Sequence, residues 1–211
     1  AALYYSSEAV ENQKGDVGVV VQDLLALENE HKKNVNNQAL YAVVHGGVDK
    51  QLRKESCEYL STLDFDGFSI GGSLGKNHQE LFELIDYVVP MLPYDKPNHL
   101  LGIGDLNSIE QCVTGGIDTM DCSHPTRAAR HGALFTHEGE LKLLNSRYKY
   151  DFSPIDPTCE CTTCKNYSRA YIHHLFKAKE ITALTLATHH NLHHMIQRMQ
   201  RLRELILMDK I

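Results

Sequence analysis

At 211 residues, 42% hydrophobic and 23% charged, the chain has the make-up of an ordinary globular protein, sized for one domain or for one domain with a small appendage. No run approaches the roughly 18 apolar residues of a membrane span, and the opening residues lack the basic-then-apolar order of a signal peptide, so a cytoplasmic protein with no membrane partner is expected. The net charge of -6 removes any bulk attraction to nucleic acid, and an RNA contact has to come from a local basic patch.

Short apolar runs rich in β-branched residues recur at Val17–Val21, Leu40–Val44, Gly67–Ile70, His99–Ile103 and Ile117–Met120, which reads as five buried strands. Between them, amphipathic stretches such as Asp49–Leu63 and Gln79–Val88 are long enough to be crossover helices, so a parallel α/β sheet is expected. The runs end alike, at His45-Gly46-Gly47, Gly71-Gly72-Ser73, Gly102-Ile103-Gly104-Asp105 and Asp121-Cys122. In a parallel barrel such ends share one rim, where glycines let a ligand approach the backbone and polar residues carry chemistry. Five βα units do not close an eight-stranded barrel of typically about 250 residues, so the expectation is a partial TIM barrel over 1–150. From Asp151 the texture changes, first to clustered cysteines, then to Tyr167–Lys179, then to a long helical pattern over Glu180–Met208. There Met195, Met199, Leu202, Leu205 and Ile206 recur at helical spacing as a packing stripe. Residues 151–211 are thus expected to form a zinc-binding subdomain with C-terminal helices.

The zinc expectation comes from the cysteines. Cys57, Cys112 and Cys122 stand singly, as reduced thiols do, whereas Cys159, Cys161 and Cys164 pack three thiols into six residues. Soft sulfur selects zinc or an iron–sulfur cluster, and a cluster would call for a fourth cysteine, which does not follow Cys164. Zinc held by three cysteines and one histidine fits better, and such a closed tetrahedron is structural. For the histidine, His190 is only mildly favoured by spacing over His189, His193 and His194.

The run Gly116–Gly132, with its Asp121, Pro125-Thr126-Arg127 and Arg130, is followed by Cys-Glu-Cys-Thr-Thr-Cys at 159–164 and Ser168–Leu175. Together with Asp66–Gly72 and Val89–Pro97, these segments resemble the tRNA-guanine transglycosylases. The resemblance implies a TIM barrel with a zinc subdomain that exchanges the wobble guanine in the anticodon loop of certain tRNAs for a 7-deazaguanine base, either queuine or its aminomethyl precursor. It implies Asp121 as a nucleophile attacking the ribose C1′, which divides one hard displacement into two as in retaining glycosidases. Asp118, inside the apolar run, is the competing carboxylate. Gly71 and Gly72 match glycines that border the base, and Leu101 an apolar residue that packs on it. Arg127 and Arg130 match a basic pair that grips RNA, a patch that Lys165 and Arg169 could extend. The family also works as a dimer, so a homodimer or heterodimer partner is implied.

The match breaks in three places. The family's acid–base aspartate lies in a Ser-Gly-Gly-Phe segment that these 211 residues lack, so a non-catalytic tRNA-binding subunit, or an incomplete fragment of the enzyme, is the alternative reading. The usual Asp-Glu-Cys-Thr-Pro stretch is replaced by Val21–Ala26, which leaves either Asp23 or Gln22 as the base-reading residue. His45 stands where a glutamine usually precedes the glycines, and a neutral imidazole presents its donor and acceptor in a different geometry.

Overall fold

The structure, a computed structural model, describes residues 29–33 and 38–211. The first expected strand, Val17–Val21, therefore lies outside the described residues. The chain divides into two compact units after Asp121.

The first unit is built on a four-stranded parallel sheet of β1 (Tyr41–Val44), β2 (Gly67–Ile70), β3 (Asn98–Leu100) and β4 (Thr119–Met120), paired in that order. Helices α1 (Lys50–Leu60), α2 (His78–Val88) and α3 (Ile109–Thr114) fill the crossovers. Asp49 caps α1 by accepting from the amides of Gln51 and Leu52, and Asn77 caps α2 by accepting from Glu80, so both helices begin where an Asx side chain can satisfy free amides. The sheet's two faces differ. Ala42, Val44, Phe68, Ile70 and Leu100 are buried in one core with Leu81, Leu84, Ile85 and Val88 of α2. The alternate residues, Val43, Ser69, His99 and Thr119, stand opposite one another in register on the other face. That face is the more polar one.

The second unit contains α4 (His124–Arg130), the antiparallel hairpin β5 (Ala133–Thr136) and β6 (Gly139–Lys142), α5 (Thr162–Asn166), α6 (Arg169–Lys177) and the 27-residue α7 (Ile181–Leu207). Residues 122–150, grouped with the barrel on the change of texture at Asp151, fold here with the zinc segment. The reason lies in Asn191 of α7. Fully buried, it accepts from the Phe135 amide at 3.0 Å and donates to the carbonyls of Pro125 and Ala133, each at 3.0 Å, joining α7 to both α4 and β5. The stripe on α7 is only partly packed: Leu202 is buried, but Ile206 is 49% exposed. No described helix is long and apolar enough to cross a membrane.

Candidate functional site

Among the described residues, chemistry-bearing side chains cluster in each unit. In the second, Cys159, Cys161, Cys164 and His190 present ligand atoms that all lie within 4.8 Å of one another. His190 Nδ1 is 3.7, 3.5 and 3.3 Å from the sulfurs of Cys159, Cys161 and Cys164. A zinc tetrahedron with Zn–S of about 2.3 Å and Zn–N of about 2.0 Å requires nitrogen–sulfur separations near 3.5 Å, so the His190 nitrogen already stands at the distance from each sulfur that zinc demands.

The surroundings fix the histidine's role. His190 Nε2 donates to the Phe135 carbonyl at 2.7 Å, which leaves the Nδ1 lone pair facing the sulfurs. Cys161 caps α5, its sulfur accepting from the Cys164 amide at 3.3 Å. Burial lowers the His190 pKa, keeping the imidazole neutral, and raises those of Cys159 and Cys164; a bound cation reverses the thiol preference and holds them as thiolates. Behind the ligands, buried Asp156 accepts from the His137 amide at 2.9 Å and the Thr158 amide at 2.8 Å, while its own carbonyl accepts from Cys159 N–H at 3.2 Å. Burial opposes ionisation of Asp156, but the bonds from His137 and Thr158 outweigh it and hold the carboxyl well below the usual range. The loop carrying the first ligand is thereby anchored.

In the first unit the register continues two residues past the row Val43, Ser69, His99 and Thr119. On the same face the next row is His45, Gly71, Leu101 and Asp121, at the carboxyl ends of β1 to β4. The ladder carries on into it, with Gly71 N–H donating to the Val44 carbonyl and Leu101 N–H to the Ile70 carbonyl. A methyl group on Gly71 would sit 2.7 Å from Leu101 Cδ1 and 3.2 Å from Val43 Cγ1, so glycine is required for Leu101 to lie against the backbone. Gly72 follows with φ +78, a conformation that glycine adopts without strain, next to His45.

Asp121 ends the row. Its Oδ1 accepts from the Gly102 amide at 2.9 Å and faces His99 Nε2 at 3.3 Å, while His99 Nδ1 lies 2.8 Å from Thr119 Oγ1. Asp118 is placed at the opposite end of the strands, its carboxylate accepting from the Asn98 amide at 2.7 Å, and serves as a strand clasp.

Arg53 of α1 is completely buried and, among the described residues, forms no ion pair with a carboxylate. It donates to the carbonyls of Val44 at 2.7 Å, Gly47 at 2.8 Å, Gly71 at 2.8 Å and Ser73 at 3.1 Å. Burial brings its pKa down to about 10, so it stays charged at neutral pH. Burial, and secondarily the Arg53 charge, lowers the pKa of His45, which keeps the imidazole neutral at neutral pH.

Residues 20–211 match the family described as queuine tRNA-ribosyltransferase. The chain is 56% identical over 181 residues to a queuine tRNA-ribosyltransferase of Protochlamydia amoebophila, covering 86% of this chain and 47% of that protein. To those of Chlamydia caviae and Lactococcus lactis it is 49% and 44% identical, covering 86% and 87% of this chain and 49% and 48% of theirs. This chain belongs to the queuine tRNA-ribosyltransferase family. It spans about half the length of the relatives it matches.

Within this family member the remaining expected residues are scattered. Asp23 and Gln22 lie outside the described residues. Arg127 and Arg130 are exposed in the last turn of α4, where cations also suit the helix dipole. Lys165 is exposed on α5. The Arg169 guanidinium is taken up by Asp151 at 3.0 Å, by the Ile155 carbonyl at 2.8 Å and by the Tyr148 ring, which makes it a brace for the loop at 148–155. Sequence reasoning missed His99, Thr119, Arg53 and Asn191. Two-residue alternation back from Asp121 and Leu101 would have brought out Thr119 and His99; no comparable signal marks Arg53 or Asn191.

Proposed function

We propose that this chain carries the nucleophile and much of the base pocket of a tRNA-guanine transglycosylase, a pentosyltransferase that exchanges the wobble guanine of a tRNA anticodon for a 7-deazaguanine base. The observation that carries this reading is the row His45, Gly71, Leu101 and Asp121, each the residue that directly follows one of the four parallel strands. Sequential strand order without a reversal is that of a barrel segment rather than a doubly wound sheet, and a barrel keeps its site at this edge.

In this reading Leu101 packs on the heterocycle, the Gly71–Gly72 backbone borders it, and His45 reads its edge. Asp121 Oδ2, which accepts no hydrogen bond among the described residues, attacks the ribose C1′. The C1′–N9 electron pair leaves on guanine, which takes its proton from the carboxylic acid that the family keeps in its Ser-Gly-Gly-Phe segment. The incoming base gives its N9 proton to the carboxylate that protonated guanine and attacks C1′ through N9, and the C1′–Oδ2 pair returns to Asp121. Arg127, Arg130 and Lys165 would hold phosphates of the splayed anticodon loop, leaving Arg169 to its bracing contacts. The zinc supplies folding energy and no chemistry on the substrate. The stacked pair Tyr167–Tyr171, with ring centroids 5.4 Å apart and both rings more than a third exposed, supports a further partner for the second unit, a dimer mate.

The test is exchange of labelled guanine into an anticodon stem-loop by the full-length protein. Incorporation into RNA carrying the wobble guanine, and none when that base is adenine, is expected. Absence of incorporation with RNA binding retained would favour the tRNA-binding subunit.

A further inference from the structure

We infer that His99 is a positioning residue for the Asp121 carboxylate, acting as one member of a hydrogen-bonded chain Thr119–His99–Asp121. The inference rests on the reading of Asp121 as nucleophile.

The arrangement follows from the strands. His99 and Thr119 are directly paired in the parallel register of β3 and β4, and Asp121 lies two residues beyond Thr119 on the same face. An imidazole at 99 therefore spans both. The Thr119 hydroxyl at 2.8 Å can donate to Nδ1, which places the ring proton on Nε2, aimed at Asp121 Oδ1 at 3.3 Å. The Gly102 amide donates to the same oxygen at 2.9 Å. Both donors fall on Oδ1, and Oδ2 is left to react.

Two consequences follow for the chemistry. Held at Oδ1, the carboxylate cannot rotate freely, and Oδ2 is presented in one direction; such orientation lowers the barrier of a displacement. When Oδ2 forms its bond to C1′, the C1′–N9 pair departs on guanine and Oδ1 becomes the carbonyl oxygen of a glycosyl ester. When the incoming base attacks C1′ through N9, its N9 proton passes to the family's acid–base carboxylate and the C1′–Oδ2 pair returns to Asp121, whose charge is again met at Oδ1 by the His99 and Gly102 protons. The same two donors thus aim the nucleophile and stabilise the leaving group. His99 touches neither ribose nor base in this scheme, and it works through Asp121.

The test uses the full-length protein and an anticodon stem-loop carrying the wobble guanine. The rate of covalent adduct formation is measured under single-turnover conditions, alongside RNA affinity and thermal stability. His99→Phe is expected to slow adduct formation by roughly tenfold to a hundredfold, the usual effect of losing a hydrogen bond to a charged group, with RNA affinity unchanged. His99→Gln, whose amide nitrogen can reach the place of Nε2, is expected to recover most of the rate, and Thr119→Val to lose less than His99→Phe. An unchanged rate in His99→Phe, an equal loss of RNA affinity, or a Gln variant as slow as Phe would overturn the role of His99. An adduct that persists in Asp121→Asn, or none with the parent protein, would overturn the reading beneath it and the inference with it.

Discussion

The zinc cluster and the strand-end row are built in opposite ways. Three of the four zinc ligands sit within six residues, and the loop that carries them is short enough that spacing alone specifies a chelate. The row takes the residue that follows each of four strands, spread over 77 positions, 45 to 121, and none of the four is diagnostic by itself. A metal site announces itself locally because its ligand must be surrounded at bonding distance. A row drawn from separate strands announces itself only once the sheet register is known, because the register turns separated residues into neighbours.

That contrast can be broken at several points. The largest effect expected is from zinc removal. Chelation, or Cys161→Ser, should release the metal and unfold the second unit, since structural zinc sites hold on the order of 10 kcal/mol of apparent binding free energy. Zinc content together with a melting curve is the check, and full zinc stoichiometry in Cys161→Ser would contradict the ligand set.

Next comes Arg53→Met in the first unit. It would strand four carbonyls at the ends of β1 and β2. A loss of about 3–5 kcal/mol in denaturant unfolding is expected, together with weaker base binding under the proposed function, because the Gly47 and Gly71 carbonyls it holds lie in the loops that carry the row. Asn191→Ala is smaller, about 2–3 kcal/mol for one buried amide group bonded to three backbone partners. If its cost were near zero, the joining of α7 to the hairpin would need another explanation.

The smallest effect is acid. His190 and His194 both have folded pKa values below the ordinary value, chiefly through burial, His194 at about 4 with His190, His137 and Arg198 adding to the shift and Asp156 opposing it. The unfolded chain then binds protons more readily than the folded one. The stability is present at neutral pH and is lost as pH falls from about 6.5 toward 4. Melting temperatures across that window should decline with falling pH, and a flat profile would contradict the burial of these rings.

Much of this was legible in the sequence. Gly67–Ile70 is an observed strand to the residue, and the runs at Leu40–Val44, His99–Ile103 and Ile117–Met120 are strands shifted or trimmed by one to three residues at their ends. The sheet's buried face is apolar enough to show as runs. The hairpin Ala133–Lys142 was not read as strands, because its hydrophobic residues are few and its outer positions are charged. His190 could not be separated from His189, His193 and His194 by spacing, because i and i+4 positions on one helix look alike. The choice is made by Phe135, whose carbonyl lies 55 positions away and takes the Nε2 proton. Arg53 was unreadable for a similar reason: a charged residue on an amphipathic helix looks solvated until the carbonyls around it are in place.

The central claim is that the carboxylate closing the strand-end row is a nucleophile. It is tested most directly by denaturing electrophoresis of the full-length protein mixed with an anticodon stem-loop bearing the wobble guanine, with and without Asp121→Asn. A band of protein covalently joined to RNA that disappears in Asp121→Asn is the predicted result. A band that survives the substitution, or RNA binding without any band in the parent protein, would contradict it.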